Sequence, residues 1–394
     1  MTPAARAQAA IEILDQVIAA AREAGPAADT IISGYFKSRR YAGSKDRRAV
    51  RELVYRAIRR SGERPPSGRA ALLGLADEDP EIERLFDGSP HAPAHRAEGE
   101  DSAAPALVPE WLQGRFDPLV EARDWPALLE RAPLDVRVNS LKGDLEAARD
   151  ALPEAVPTPL SPLGLRLAEG TRIEDHPACQ SGLVEVQDEG SQLLALGCGA
   201  SPGHLVVDLC AGAGGKTLAL AAEMRNQGRI IACDTDRGRL GRMRPRLERA
   251  GVSIVETRLL NPGAELDPLE DLKGKADLVL VDAPCSGTGT WRRNPETRWR
   301  LTPERLQRLV QLQAYLLDVA AELVRPGGIL VYAVCSLLEE EGRAQAEAFG
   351  SRRSAFLCQG PAFEFGRIAG AGRLLSPAPD GTDGFFVARW QAPC

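Results

Sequence analysis

The stretch LVVDLCAGAGGKT, Leu205 to Thr217, decides how this chain is read. A short apolar run, Leu205–Leu209, reads as a strand. It ends in small residues, Ala211, Gly212, Ala213, Gly214 and Gly215, ahead of a helix expected over Lys216–Met224. Small residues let backbone approach a ligand closely, and the helix behind them aims its N-terminus at that ligand. The turn is not a clean phosphate loop, because Cys210 stands where GxxxxGK[ST] needs its first glycine. It is not GxGxxG either, because Lys216 and Thr217 fall in the wrong places. By itself it fits a nucleotide-like ligand or a plain tight turn.

Working outward, the same strand, turn and helix pattern repeats. Strands are expected at Arg229–Asp234, Asp277–Asp282 and Gly327–Ser336, with helices over Arg237–Ala250 and Pro303–Val324. Such alternation implies parallel strands with helices on both faces. In sheets of this class ligands bind at the carboxyl ends of strands. Asp234 ends the second strand about 20 residues after the turn, where an acid accepts hydrogen bonds from ribose hydroxyls. Asp236 is the better candidate for capping the helix that follows. The pair suits an adenosine-containing cofactor without separating a dinucleotide from S-adenosylmethionine. DAPCSGTGTWRRNPE (Asp282–Glu296) brings Asp282 and Cys285 to one strand end, and YAVCSLLEEE (Tyr332–Glu341) brings Cys335 to another. One strand-end cysteine is usually packing. Two on the same sheet edge, beside a carboxylate, are hard to explain that way.

Upstream, the N-terminal region carries helical apolar spacing over residues 4–24, 28–38 and 46–60, which predicts a small helical bundle. Residues 1–64 hold 13 Lys and Arg against 7 Asp and Glu, with arginine dense from Arg39 to Arg60, although the whole chain of 394 residues carries a net charge of −6. The stretch from Pro65 to Pro109 reads as mostly irregular, with one short helix at Glu81–Phe86. Leu134–Lys142 reads as a strand and Leu145–Leu152 as a helix. Eight cysteines without a CxxC pair, and four histidines without ligand spacing, point to free thiols and no structural zinc. No apolar stretch approaches the roughly 20 residues that span a membrane, and the N-terminus lacks a signal-peptide layout. The chain is therefore expected in the cytoplasm.

These motifs resemble the RsmB/Sun family of RNA cytosine-5 methyltransferases. The glycine turn, Asp282-Ala283-Pro284-Cys285-Ser286-Gly287 with Arg292-Arg293-Asn294-Pro295, and Cys335-Ser336 carry the resemblance. Gln187-Asp188-Glu189-Gly190-Ser191-Gln192, Arg137-Val138-Asn139 with Lys142, and Asp383-Gly384-Phe385-Phe386 extend it over at least residues 134–390 in the expected order. The basic helical start resembles the NusB-like RNA-binding domain. The resemblance implies an α/β fold: a Rossmann-like S-adenosylmethionine-dependent methyltransferase sheet, preceded by a small α+β subdomain and an N-terminal helical bundle. The implied boundaries are residues 1–75 for the helical domain, 76–105 for a linker, 106–186 for the subdomain and 187–394 for the catalytic domain.

The resemblance also implies the chemistry. Cys335 would be the nucleophile, Cys285 the helper in elimination, Asp282 the partner of the cytosine ring, and Lys216 an anchor near the pocket. S-adenosylmethionine would be held by Cys210, Ala211, Gly212, Ala213, Gly214, Gly215 and Lys216, with Asp234 and Asp282, and without a metal. The adenine-side acid has no direct match, and Asn261 is the nearest candidate. Val334 stands where the family usually has Thr before the nucleophile. Arg292, Arg293, Arg298 and Arg300, interleaved with Trp291 and Trp299, suggest phosphate binding and base stacking, against a solvated loop. The expected partner is RNA, ribosomal for preference, bound by a monomer. The alternatives are a tRNA substrate, or a non-catalytic RNA-binding assembly protein on the same fold. A nicotinamide-dependent dehydrogenase leaves the two cysteines unexplained.

Overall fold

The structure, a computed structural model, describes residues 1–23 and 25–394. Ala24, the last residue of the helix expected over 4–24, lies outside the described residues. The chain forms two compact units. One comprises Met1–Phe116, Glu121–Arg131 and Thr290–Pro303, and the other comprises Asp117–Val120, Ala132–Gly289 and Glu304–Cys394.

The first unit is helical, built on α1 (Pro3–Arg22), α2 (Ala28–Lys37), α3 (Ser44–Arg60), α4 (Gly68–Ala76) and α5 (Pro80–Glu83). The three helices expected from apolar spacing are present, and Ile13, Leu14, Val17, Ile32, Val54 and Ile58 share one core. Helix α4 is an addition. Gly68 and Gly74 look like loop residues in sequence, but they serve close packing: a Cβ at Gly68 would fall 2.2 Å from the Ile11 carbonyl oxygen on α1.

Residues 76–105, expected as a linker, instead belong to this compact unit. The Ala103 amide donates to the Ala70 carbonyl at 2.9 Å, and the acids of the segment pair with arginines of the helices: Asp79 with Arg56, Glu78 with Arg60 and Glu100 with Arg69. The acidic stretch thereby neutralises part of the basic helix α3. Residues Thr290–Pro303, far away in sequence, also fold into this unit.

The second unit carries two sheets. Strands β1 (Leu134–Val138), β2 (Val156–Pro157), β3 (Gly164–Leu167) and β4 (Val184–Val186) form an antiparallel sheet in the order β2-β3-β1-β4, packed with α6 (Leu145–Ala151) and α7 (Pro177–Gln180). Helix α8 (Glu189–Cys198) leads into the larger sheet, made of β5 (Leu205–Asp208), β6 (Arg229–Asp234), β7 (Val255–Leu259), β8 (Ala276–Asp282), β9 (Val324–Val334), β10 (Leu357–Gln359), β11 (Arg367–Ala369), β12 (Gly372–Leu375) and β13 (Phe385–Gln391). Its order is β11-β12-β13-β9-β8-β5-β6-β7, with β10 beside β13. The five strands β9-β8-β5-β6-β7 are parallel, and β13 runs antiparallel against β9. Central strands are continuous apolar runs because both faces are covered: Val206, Val207, Ile230, Ile231, Val279, Leu280, Leu330 and Val331 are fully buried. Helices α9 (Gly215–Glu223), α10 (Arg237–Ala250), α11 (Pro303–Leu323) and α12 (Arg343–Arg352) complete the Rossmann-like layers.

From β5 the chain moves outward through β6 and β7, then returns to β8 on the other side of β5. The strand order therefore reverses between β5 and β8. Such a switch point opens a crevice at the carboxyl ends of the strands.

Candidate active site

Two glycines shape the turn after β5. Gly212 and Gly214 have φ of +57° and +85°, a left-handed backbone that favours glycine. A Cβ at Gly212 would fall 2.5 Å from Arg239 Nη2, and one at Gly214 2.6 Å from Met243 Cγ. The turn is tied down from β6: the Gly212 amide donates to Asp234 Oδ2 at 2.9 Å, and Arg239 Nη1 stands 3.4 Å from the same oxygen. Asp236 caps α10 through the Arg239 amide, as expected. From the smaller sheet's side, Gln187 Nε2 donates to the Gly215 carbonyl at 3.3 Å, while Arg137 Nε donates to Gln187 Oε1 at 2.7 Å. Arg246, paired with Glu185, donates to the Ala213 carbonyl at 2.8 Å.

At the mouth of this turn lies a cavity of about 250 Å³. Its polar wall comes from Asp234, Glu265 and Asp282, its thiols from Cys210, Cys285 and Cys335, and its apolar wall from Leu209, Leu260, Leu312 and Leu316. The cavity thus gathers residues from the ends of β5, β6, β8 and β9, the loop after β7, and α11. Asn261, the expected adenine-side contact, is exposed and does not line the cavity. Glu265, four residues on, is buried at that end, its Oε2 accepting from Tyr315 Oη at 2.7 Å and its Oε1 from the Gly263 amide at 3.1 Å.

The two cysteines meet. Cys285 Sγ and Cys335 Sγ lie 3.3 Å apart, both partly buried. The hydrogen bond to Cys335 pushes the Cys285 thiol well above its ordinary range, with burial and the charges of Cys335 and Glu341 adding to it. Beside them Lys216 Nζ pairs with Asp282 Oδ2 at 2.7 Å, and the ammonium lies 5.4 Å from the Phe385 ring centre. Burial lowers the Lys216 pKa, but the charge and hydrogen bond of Asp282, with the charges of Cys335 and Asp208, together outweigh it and the net shift is upward. Beneath the turn, Asp208 is fully buried. Thr217 Oγ1 donates to its Oδ2 at 2.7 Å, while Oδ1 has no partner. Burial raises its carboxyl to about 7. The arrangement can deliver a thiolate, a second thiol and a carboxylate to one face of a small planar ring, beside a pocket suited to a ligand with hydroxyls, an amine and an apolar ring.

The arginine-rich segment behaves otherwise. Trp291, Arg298 and Trp299 are buried in the helical unit, not displayed for RNA. Arg298 Nη2 donates to the Ile58 carbonyl at 2.6 Å, at the end of α3, and Trp299 Nε1 to the Ser61 carbonyl at 2.8 Å. Glu296 accepts from the Ala28 amide at the start of α2 at 3.0 Å, and Arg300 donates to the Gly25 and Pro26 carbonyls. Trp291 packs edge-on against Phe116. Helix ends expose unpaired carbonyls and amides, and this segment supplies their partners.

Comparison with known proteins places the chain. Residues 198–391 match the family model of the 16S rRNA methyltransferase RsmB/F. Ribosomal RNA small subunit methyltransferase B of Xylella fastidiosa (strain 9a5c) is 37% identical over 294 residues, an alignment covering 73% of this chain and 68% of that protein. The chain belongs to the RsmB/F family. Among solved structures, a methyltransferase homolog protein from Pyrococcus horikoshii superposes with a TM-score of 0.60 at 29% identity, covering 68% of this chain and 90% of that one. The crystal structure of PH0851 shares the fold over 98% of both chains, with a TM-score of 0.76 at 24% identity. Within the RsmB/F frame, the residues read from sequence as Cys335, Cys285, Asp282, Lys216, Cys210 and Asp234 come together at one crevice. Sequence reading missed Glu265, Asp208 and the carboxylate of Glu341 behind the thiols. No helix of the described residues is long and apolar enough to cross a membrane.

Proposed function

We propose that this chain methylates carbon 5 of a cytosine in small-subunit ribosomal RNA, using S-adenosylmethionine and a transient covalent bond between Cys335 and the base. The observation that carries this reading is the 3.3 Å approach of Cys285 and Cys335 at the ends of neighbouring parallel strands. Family membership supports the substrate class. The exposed Arg40, Lys45 and Arg48 of the helical unit offer charge for phosphates, in a region whose NusB-like character is part of this proposal.

The cavity fits the cofactor by its donor set. Asp234 faces where ribose hydroxyls would lie, Glu265 stands at the adenine end, and Leu209 and Cys210 bring the start of the glycine turn to the cavity wall. S-adenosylmethionine, when bound, supplies an electrophilic methyl group. The rest is done by this chain. A cytosine is a weak carbon nucleophile until a thiolate adds to carbon 6, and Cys335 makes that bond. Asp282, paired with Lys216, hydrogen-bonds the ring nitrogen or amino group of the base and steadies the adduct as charge develops on the ring. Cys285 takes the carbon 5 proton as a thiolate, or passes it on from its thiol to another base, and the Cys335–carbon bond breaks with Cys335 leaving as a thiolate. The base must leave its stack to enter, which favours unpaired RNA.

The test is a pair of variants. Cys285→Ala should accumulate a denaturation-resistant RNA–protein adduct with ribosomal RNA and cofactor, and Cys335→Ala should form none. Normal methylation by both variants would overturn the assignment.

A further inference from the structure

We propose that Glu341 is the positioning residue that holds the two thiols of the site in working register, by tying both cysteine-bearing loops to one buried carboxylate. This rests on reading Cys335 and Cys285 as the reacting pair. Glu341 is fully buried and does not line the cavity, so it touches neither base nor cofactor. Its Oε1 accepts from the Ser286 amide and from Gln313 Nε2, each at 2.9 Å, and its Oε2 accepts from Ser336 Oγ at 2.6 Å. Ser286 directly follows Cys285, and Ser336 directly follows Cys335.

The clamp reaches further than those neighbours. Gln313 Nε2 also donates to the Pro284 carbonyl at 2.9 Å, so the residues on both sides of Cys285 are fixed. Tyr332 Oη donates to the Glu341 main-chain oxygen at 2.6 Å, anchoring the carboxylate to β9. Ser336 Oγ meets Ser286 Oγ at 3.1 Å and Thr288 Oγ1 at 3.2 Å, which joins the two loops directly. Hydrogen bonds to an ionised acceptor are the strong ones, and a buried carboxylate stripped of them would be costly. Sliding one loop past the other breaks several at once. An amide at position 341 keeps an oxygen for the Ser286 amide and Gln313 Nε2, while its NH2 group can donate to Ser336 Oγ.

The test uses phenylarsine oxide on the full chain. Two thiols and the arsenic–oxygen group form two As–S bonds and release water, so tight binding reports the sulfur–sulfur geometry. Wild type should take up one equivalent tightly, and Cys285→Ala and Cys335→Ala should each abolish this. Glu341→Ala should weaken arsenical binding and lower kcat by about a hundredfold, the scale of a ~1 Å misplacement of a reacting group. RNA KM and S-adenosylhomocysteine binding should stay unchanged. Glu341→Gln should restore arsenical binding, because its amide keeps the hydrogen bonds. A folded Glu341→Ala protein with wild-type arsenical affinity and kcat would overturn the proposal. If Glu341→Ala does not fold, Ser336→Ala decides: weakened arsenical binding supports the clamp and unchanged binding overturns it. The arsenical arm needs only the two sulfurs, so a failure of RNA methylation with this pattern intact would sink the functional reading and leave the clamp standing.

Discussion

Lys216 Nζ and Asp282 Oδ2, 66 positions apart in the chain, form a 2.7 Å ion pair at the edge of the cavity that holds both thiols. The pair holds a carboxylate at the cavity wall without leaving a bare charge in a partly buried site.

Removing the ammonium tests this. Lys216→Met should lower kcat/KM for methylation by about 10²-fold, the loss typical of a missing electrostatic contact to the reacting centre. Lys216→Arg should recover only part of it, since a planar guanidinium does not replace a point charge. Steady-state methylation of ribosomal RNA measures both, and unchanged rates would reduce the pair to a structural tie.

Asp208 sets a pH dependence of stability. Burial raises its carboxyl to about 7, against an ordinary value of 3.8, so the folded state favours the protonated form. A raised carboxyl pKa means the folded state binds more protons than the unfolded one between those values, so its contribution is full below about pH 4 and fades as pH rises to 7. At about 1.4 kcal/mol per unit the effect reaches several kcal/mol at most. Asp208→Asn keeps a group for Thr217 and removes the charge. Its melting temperature should exceed that of wild type by a margin that widens from pH 5 to pH 8. A margin independent of pH would exclude this carboxylate as the cause.

Glu265 and Asn261 separate at the base end of the cavity. Glu265→Gln should weaken binding of S-adenosylhomocysteine by roughly tenfold, the loss expected for one charge-assisted hydrogen bond. Asn261→Ala should leave it unchanged, because that side chain is exposed. Calorimetric titration measures both, and the reverse ranking would return the contact to Asn261.

The contrast shows which information the sequence carries. Strand, turn and helix over Leu205–Ala250 were legible because long apolar runs between small-residue turns admit few other folds. Cys285, Cys335, Asp282 and Asp234 were legible because each follows an apolar strand, and strand ends in a parallel sheet share an edge. Glu341 was not, because Glu339-Glu340-Glu341 reads as a solvated acidic run and only the fold turns its last carboxylate inward. Helix α4 was hidden by the glycines that allow it to touch α1. The segment around Arg298 misled most. Arginine and tryptophan together suit nucleic acid equally well and a buried seal over helix ends, and local sequence carries no sign of which ends lie nearby.

That seal makes its own prediction. Arg298 is 1% exposed and donates to four carbonyls, those of Pro295, Leu107, Ile58 and Arg59. Burial pulls the guanidinium down to about 9, so it remains a cation at neutral pH. A cation at the end of α3 also meets the negative end of the helix dipole. Arg298→Ala would strand those carbonyls without water, at a cost of roughly 3 kcal/mol. Arg298→Lys should recover little, since a single ammonium cannot reach the same spread of acceptors. With two compact units the chain need not unfold in one step, so the readout is hydrogen exchange. Amides of α3 and its core partners should lose protection, while those of β5, β6 and β8 should keep it. A phosphate-binding arginine would give the opposite pattern: unchanged protection, and weaker RNA binding with a shallower salt dependence.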